Sequence, residues 1–165
     1  MKVTVADLRQ MNACEDDLEV FTRRWPDGVD LSVETIIEAI WLRLDVSWWA
    51  VRTFGAEYDR QIAPLRAEYD RQKAPLTAEY ERQIAPLLAE YERQIAPLLA
   101  EYERHGAPLW DAYDRPTVVL WVEYNRQRAP LRAEIERQIA PLRAEYDRQK
   151  AALIMSLIET RTSTE

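Results

Sequence analysis

From Ala56 to Ile154 one pattern of apolar and polar positions recurs every eleven residues. Nine blocks follow each other without an insertion, among them AEYDRQIAPLR, AEYERQIAPLL, DAYDRPTVVLW, VEYNRQRAPLR and AEYDRQKAALI. The fifth position is always arginine, from Arg60 to Arg148, and the tenth is always leucine, from Leu65 to Leu153. All eight tyrosines stand at the third position. Eleven residues close about three helical turns at about 3.67 residues per turn, so equivalent positions line up along one helix. Leu65 falls four residues before Tyr69, and Leu76 four before Tyr80, the spacing of neighbours on a helix face. Ile62, Ile84, Ile95 and Ile139 at the seventh position complete a Tyr/Ile/Leu stripe. Glu57 with Arg60 and its equivalents are i,i+3 ion pairs, each worth about 0.2–0.5 kcal/mol.

Proline complicates this helix. Pro64, Pro75, Pro86, Pro97, Pro108, Pro130 and Pro141 all hold the ninth position. An interior proline removes a hydrogen bond and costs about 3 kcal/mol or more. Either the helix breaks before each one, or it continues and kinks. Kinks are favoured, because the preceding residue is nearly always alanine, a poor N-cap. The prolines also fall roughly 130° around the wheel from the stripe, at about 98° per residue. They would bend the helix away from themselves and leave the stripe concave.

The pattern changes in its middle. Gly106 takes the place of the stripe isoleucine, and proline moves to Pro116. Gly106 with Pro108 reads as a helix stop and Pro116 as a restart, a turn over 105–117. The expected fold is all-α: a small helical module at 1–55, hendecad repeats at 56–154 and a tail at 155–165. The repeats form either a hairpin with arms near 57–104 and 117–160, which we favour, or one long bent rod. Each arm would span roughly 65–70 Å at about 1.5 Å per residue.

The first 55 residues follow other rules. Thr4 with Asp7 predicts a capped helix start. Leu18, Phe21 and Trp25 share a helical face. Pro26-Asp27-Gly28 predicts a turn. Ser32 or Asp30 caps a helix carrying Ile36, Ile37, Ile40 and Trp41, and Asp45 caps one carrying Trp48, Trp49 and Phe54 that Gly55 ends. Four short helices make a marginal core at this size, so packing on the repeats is expected.

Leu8, Ala13-Cys14, Leu18, Phe21, Trp25-Pro26-Asp27-Gly28, Trp41, Asp45 and Trp48-Trp49 resemble the small immunity-protein-like helical domain of many bacteriophage and bacterial proteins. The spacing departs from that family, which places Asp directly before Trp, whereas Val46-Ser47 intervene here. Phage proteins that join such a domain to Ala-Glu-Tyr…Ala-Pro repeats are also similar to this chain. The resemblance implies a phage or mobile-element origin and a protein-binding habit, and no reaction.

Composition narrows the chemistry. The chain has 165 residues, a net charge of -7 and three glycines, too few for a β-rich fold or a glycine-rich phosphate loop. The acidity argues against a nucleic-acid partner and is compatible with DNA mimicry, although every repeat also carries arginine. A single cysteine, Cys14, excludes an internal disulfide and fits a cytoplasmic setting, the host's if phage encoded. The first seven residues contain no apolar run, so no secretory leader is expected. No segment approaches the roughly 18 apolar residues of a membrane span.

His105 has no catalytic companions, and Cys14 reads as a buried structural thiol. No metal-ligand spacing occurs, so no metal, cofactor or enzymatic activity is expected. Trp48 and Trp49 are expected in the core. The eleventh position is more informative: Arg66, Thr77, Leu88, Leu99, Trp110, Trp121, Arg132, Arg143 and Ile154. It borders the stripe, which therefore widens between Leu88 and Trp121. This wider face packs the hairpin apex, receives the N-terminal module or binds a partner. For a partner, Leu88, Leu99, Trp110 and Trp121 are the anchors, with Tyr91, Tyr102, Tyr113 and Tyr124 alongside.

Three functions are compatible with these features. The first is a non-enzymatic binding protein, an inhibitor or adaptor of a host protein, and the second a self-assembling scaffold. The third is a lipid-surface binder, because proline-punctuated runs such as Pro-Leu-Arg-Ala-Glu also resemble exchangeable apolipoproteins. A membrane partner is disfavoured, because the arginines lie nearly opposite the stripe and cannot flank it as cations do on lipid-surface helices.

Overall fold

A computed structural model describes residues 1–105 and 110–163, and only the backbone at residue 105 and residues 110–113. Among the described residues there are six helices and one two-stranded sheet. In chain order they are β1 (Lys2–Val3), α1 (Val5–Gln10), α2 (Glu15–Arg24), β2 (Val29–Asp30), α3 (Val33–Trp41), α4 (Val46–Phe54), α5 (Ala56–His105) and α6 (Trp110–Thr162).

The short helices start where their caps dictate. Thr4 and Asp7 form a reciprocal capping box on α1, and Ser32 with Thr35 forms another on α3. The Asp45 carboxylate accepts from the Trp48 N–H at 2.9 Å and opens α4. Pro26 and Asp27 form the expected turn, closed by the Gly28 N–H on the Trp25 carbonyl. Gly28 has φ +81°, and a Cβ there would meet the Val3 carbonyl oxygen at 2.7 Å, so only glycine fits. That close approach belongs to the antiparallel pair Val3↔Val29, a sheet the helical reading did not anticipate. Gly55, at φ +58°, ends α4 and starts α5.

The array helices run through their prolines. α5 is one 50-residue helix containing Pro64, Pro75, Pro86 and Pro97, and α6 a 53-residue helix containing Pro116, Pro130 and Pro141. The ninth-position prolines at 64, 75, 86, 97, 130 and 141 are all exposed. Each loses its bond on the solvated side, where water satisfies the orphaned carbonyl, so the helix is not forced to end. The expected restart at Pro116 is corrected, because α6 has already begun at Trp110 and carries Pro116 inside it. The proposed stop at Gly106 and Pro108 lies outside the described residues.

The chain divides into two units: Met1–Asp70 with Leu142–Glu165, and Arg71–Pro141. In the first unit α5 and α6 share a core with the module. Val3, Phe21, Ile36, Val46, Trp49 and Ala50 cluster with Tyr58 and Ile62 of α5 and with Ala151, Ile154, Leu157 and Ile158 of α6. The module thus completes its small core on the first and last repeats. Residues 155–162 continue α6, with Leu157 and Ile158 buried. In the second unit the same helices pair through their stripes.

The pairing is that of an antiparallel hairpin rather than a rod. Tyr69 meets Tyr146 with ring centroids 5.1 Å apart in the first unit, and Tyr91 meets Tyr124 at 5.3 Å in the second. Twenty-two residues forward on α5 match twenty-two residues back on α6, so both units use one register. The ion pairs expected at Glu57–Arg60 and Glu134–Arg137 form on the outer face. Gln83 to Glu79 and Gln149 to Glu145 add i,i+4 hydrogen bonds.

Candidate functional site

The third-, seventh- and tenth-position side chains are buried or half-buried at every described repeat. The stripe is therefore the seam between the arms. Lys73, Thr117, Arg128 and Lys150 replace the apolar seventh-position residue in it. Arg128 is accommodated by donating from Nε to the Tyr80 hydroxyl at 3.2 Å, which also holds its pKa up.

The eleventh position lies outside the seam. Leu88, Leu99 and Trp121 are 39, 40 and 49% exposed, whereas Ile154 is fully buried in the module's core. The Trp121 ring lies 5.8 Å from both Tyr91 and Tyr124, so it continues the aromatic seam outward. Tyr124 is buried, and Tyr91 and Tyr102 are half-buried. Trp110 and Tyr113 have side chains outside the described residues. The structure thus brings Tyr91, Trp121 and Tyr124 together, with Leu88 one helical turn before Tyr91.

Three neighbouring residues escaped the sequence reading. Val118, Val119 and Val122 are 50, 66 and 59% exposed. Their signal was available: in most blocks the eighth and ninth positions are Ala-Pro and the first is Ala, and here all three are valine. No charge occurs between Arg115 and Glu123. Proline and alanine at these positions suit a solvated face. Three valines around a tryptophan at the same positions make it an apolar one.

A second cluster is polar. Lys150 donates from Nζ to Ser47 Oγ at 2.7 Å and is nine-tenths buried, as is Asp147 one turn before it. Burial pushes the Lys150 pKa down, against the upward pull of Asp147 and Asp45, with Arg66 adding to the depression. Burial likewise pushes Asp147 up, against Arg143 and Lys150. The Tyr58 hydroxyl is buried with no hydrogen-bond partner, and burial raises its pKa despite the nearby Ser47. These groups join the module to the array. The module's own cavity, between residues such as Phe21, Ile36 and Trp49, is about 80 Å³. Ligand pockets are typically about 300–1,000 Å³.

One reading of a single residue is corrected. Cys14 is exposed rather than buried, because it is the N-cap of α2 and a cap faces out of the first turn. Of the tryptophan pair, Trp49 is buried, and Trp48 packs half-buried against the same core with the Arg52 guanidinium 4.8 Å from its ring. Trp41, at the end of α3, is 74% exposed. The His105 side chain lies outside the described residues. Among the described residues no group of three or more His, Cys, Asp or Glu side chains is placed to hold a metal ion. No described helix is long and apolar enough to cross a membrane. No family model, curated protein or solved structure matches this chain.

Proposed function

We propose that this is a non-enzymatic protein-binding protein whose contact surface is the apolar face of the middle repeats. The observation that carries this reading is the exposure of Val118, Val119 and Val122, at positions where most repeats keep alanine or proline, around the half-exposed Trp121. The seam uses positions three, seven and ten, so hairpin packing does not require the three valines, and Trp121 touches the seam only at its edge, against Tyr91 and Tyr124. A large aromatic ringed by aliphatic residues is the composition of an interface anchor. The stripe itself serves the hairpin, so Leu88, Leu99 and Trp121 are the sequence-predicted anchors left for a partner. The resemblance of the first fifty or so residues suggests the setting, an inhibitor or adaptor of phage or mobile-element origin acting on a host protein.

The test is recovery of a partner from native or infected cells with the wild-type chain, followed by titration of that partner against Trp121→Ala. Association should weaken by more than about 1–2 kcal/mol while helicity and melting stay unchanged. Normal binding by the folded variant would place the contact surface elsewhere.

A further inference from the structure

Helix α4 lies along the last repeat. Lys150 Nζ donates to Ser47 Oγ at 2.7 Å near the start of α4, and Arg161 Nη1 donates to the Thr53 carbonyl at 2.9 Å near its end. The two helices therefore run in the same direction. Between those polar ties Ala151 and Ile154 are fully buried, in one cluster with Val46, Trp49 and Ala50. The seventh, eighth and eleventh positions of repeat nine thus form a cradle for a helix. The arginine one repeat beyond its lysine caps that helix's C-terminal end.

Three repeats earlier, 33 residues back, Thr117, Val118 and Trp121 occupy those positions, and Arg128 stands where Arg161 stands. The helical phase is the same. Tyr124 and its counterpart Leu157 are both buried, and Leu120 and Leu153 are both half-buried. The difference is cover: Ala151 and Ile154 are sealed, whereas Val118 and Trp121 are about half open. A guanidinium has five N–H donors, and Arg128 uses its Nε on Tyr80.

We propose that Val118, Trp121, Val122 and Arg128 form a second helix cradle of the same design, which takes an amphipathic helix of a partner protein lying parallel to α6. The inference rests on the protein-binding reading above and names the partner's binding element. A helix satisfies its own backbone, so it can cover an apolar face that offers no hydrogen bonds, whereas a loop would leave buried N–H groups unpaired. The remaining N–H groups of Arg128 can take one of the four carbonyls that a helix C-terminus leaves open. The occupant is not the α4 of a second copy, because each copy's α4 already sits in its own core. A net charge of -7 also opposes close approach of two copies.

The probe is a helix-stapled peptide with the sequence of residues 44–55, whose apolar face is the one repeat nine accepts. It is presented to the full chain carrying a photo-crosslinking amino acid at position 118, at position 151, or at the exposed control position 132. The expected result is saturable crosslinking at 118 and none above background at 151 or 132. Trp121→Ala, with the crosslinker at 118, should weaken the peptide at least tenfold, and Arg128→Gln severalfold with unchanged circular dichroism. Absence of saturable crosslinking at 118 would overturn the proposal, as would equal crosslinking at 132. Chain-to-chain crosslinks at 118 without peptide would also overturn it, by making a second copy the occupant. If the peptide fails while Trp121→Ala still releases a native partner, the binding reading stands and the cradle does not.

Discussion

Single residues at the base of the hairpin show what burial does to polar groups, and each leads to a measurable effect. Tyr58 is 1% exposed and its hydroxyl has no partner. An unsatisfied buried group costs about 1–3 kcal/mol, so Tyr58→Phe should stabilise the chain by about 1 kcal/mol in urea denaturation. A loss of stability would show that the hydroxyl is bonded. Cys14 occupies an N-cap with extended backbone and no side-chain cap hydrogen bond. Cys14→Ser supplies the missing acceptor, and the melt should rise by an equivalent of about 0.5–1 kcal/mol. Lys150 gives a pH dependence. Its pKa in the fold lies below the ordinary 10.5, because burial outweighs the attraction of Asp147 and Asp45. Between the folded value and 10.5 the unfolded chain holds more protons, so this group makes stability rise with pH. Tyr58, pushed above 10.0 by burial, works in the opposite sense at higher pH. The window is therefore the approach to pH 10 from below. Lys150→Met should abolish the rise there, as read by denaturation midpoints of the two chains.

At the scale of elements, the prolines separate helix propensity from helix fate. Repeat nine carries Ala152 where the other regular blocks carry proline, and α6 runs through both kinds of block. Pro86→Ala restores a backbone donor on an exposed face, and the helix should gain about 1–3 kcal/mol, checked by urea denaturation. An unchanged midpoint would mean that the bend itself is required for pairing. The helices, their caps and the seam were legible in the sequence because they rest on local rules: an eleven-residue period, capping boxes, and a glycine after α4. Pro116 was misread because a proline can end a helix or ride within it, and the half-buried Pro116 lies inside α6. The β1–β2 pair was missed because two residues per strand leave no alternation to read, and only the Gly28 approach to Val3 reveals it. Of the candidate site, the place of Trp121 beside the stripe was legible, but its contact with Tyr91 of the other arm was not. The valines beside it were overlooked because attention went to the eleventh position, while their departure from the repeat lies at the eighth, ninth and first. Lys150 and Ser47 meet across more than a hundred residues, and no local pattern announces such a pair.

At the scale of the whole molecule, the repeat makes register a quantity that can be edited. Tyr69 opposite Tyr146 and Tyr91 opposite Tyr124 fix one count of residues along both arms. By that count residues 78–88 of α5 lie opposite residues 127–137 of α6. Removing both segments takes one period from each arm. The junctions join Thr77 to Ala89 and Arg126 to Gln138, and each recreates a regular block. The stripe stays in phase on both helices, and the ends that carry Tyr58 and Ile154 still arrive together. The doubly deleted chain should keep its helicity per residue and a module core in which Trp49 stays protected from quenching by acrylamide. Removing only residues 78–88 leaves the stripe equally regular. It also leaves the arms unequal by about 16 Å, eleven residues at about 1.5 Å each. One arm then reaches the module one repeat out of step. Lys150 can no longer meet Ser47 while Tyr58 keeps its place, and Trp49 should become accessible to the quencher. If the single deletion preserved Trp49 protection and the double deletion lost it, the pairing would not be set by the common count. The residues between the arms would then dictate the register.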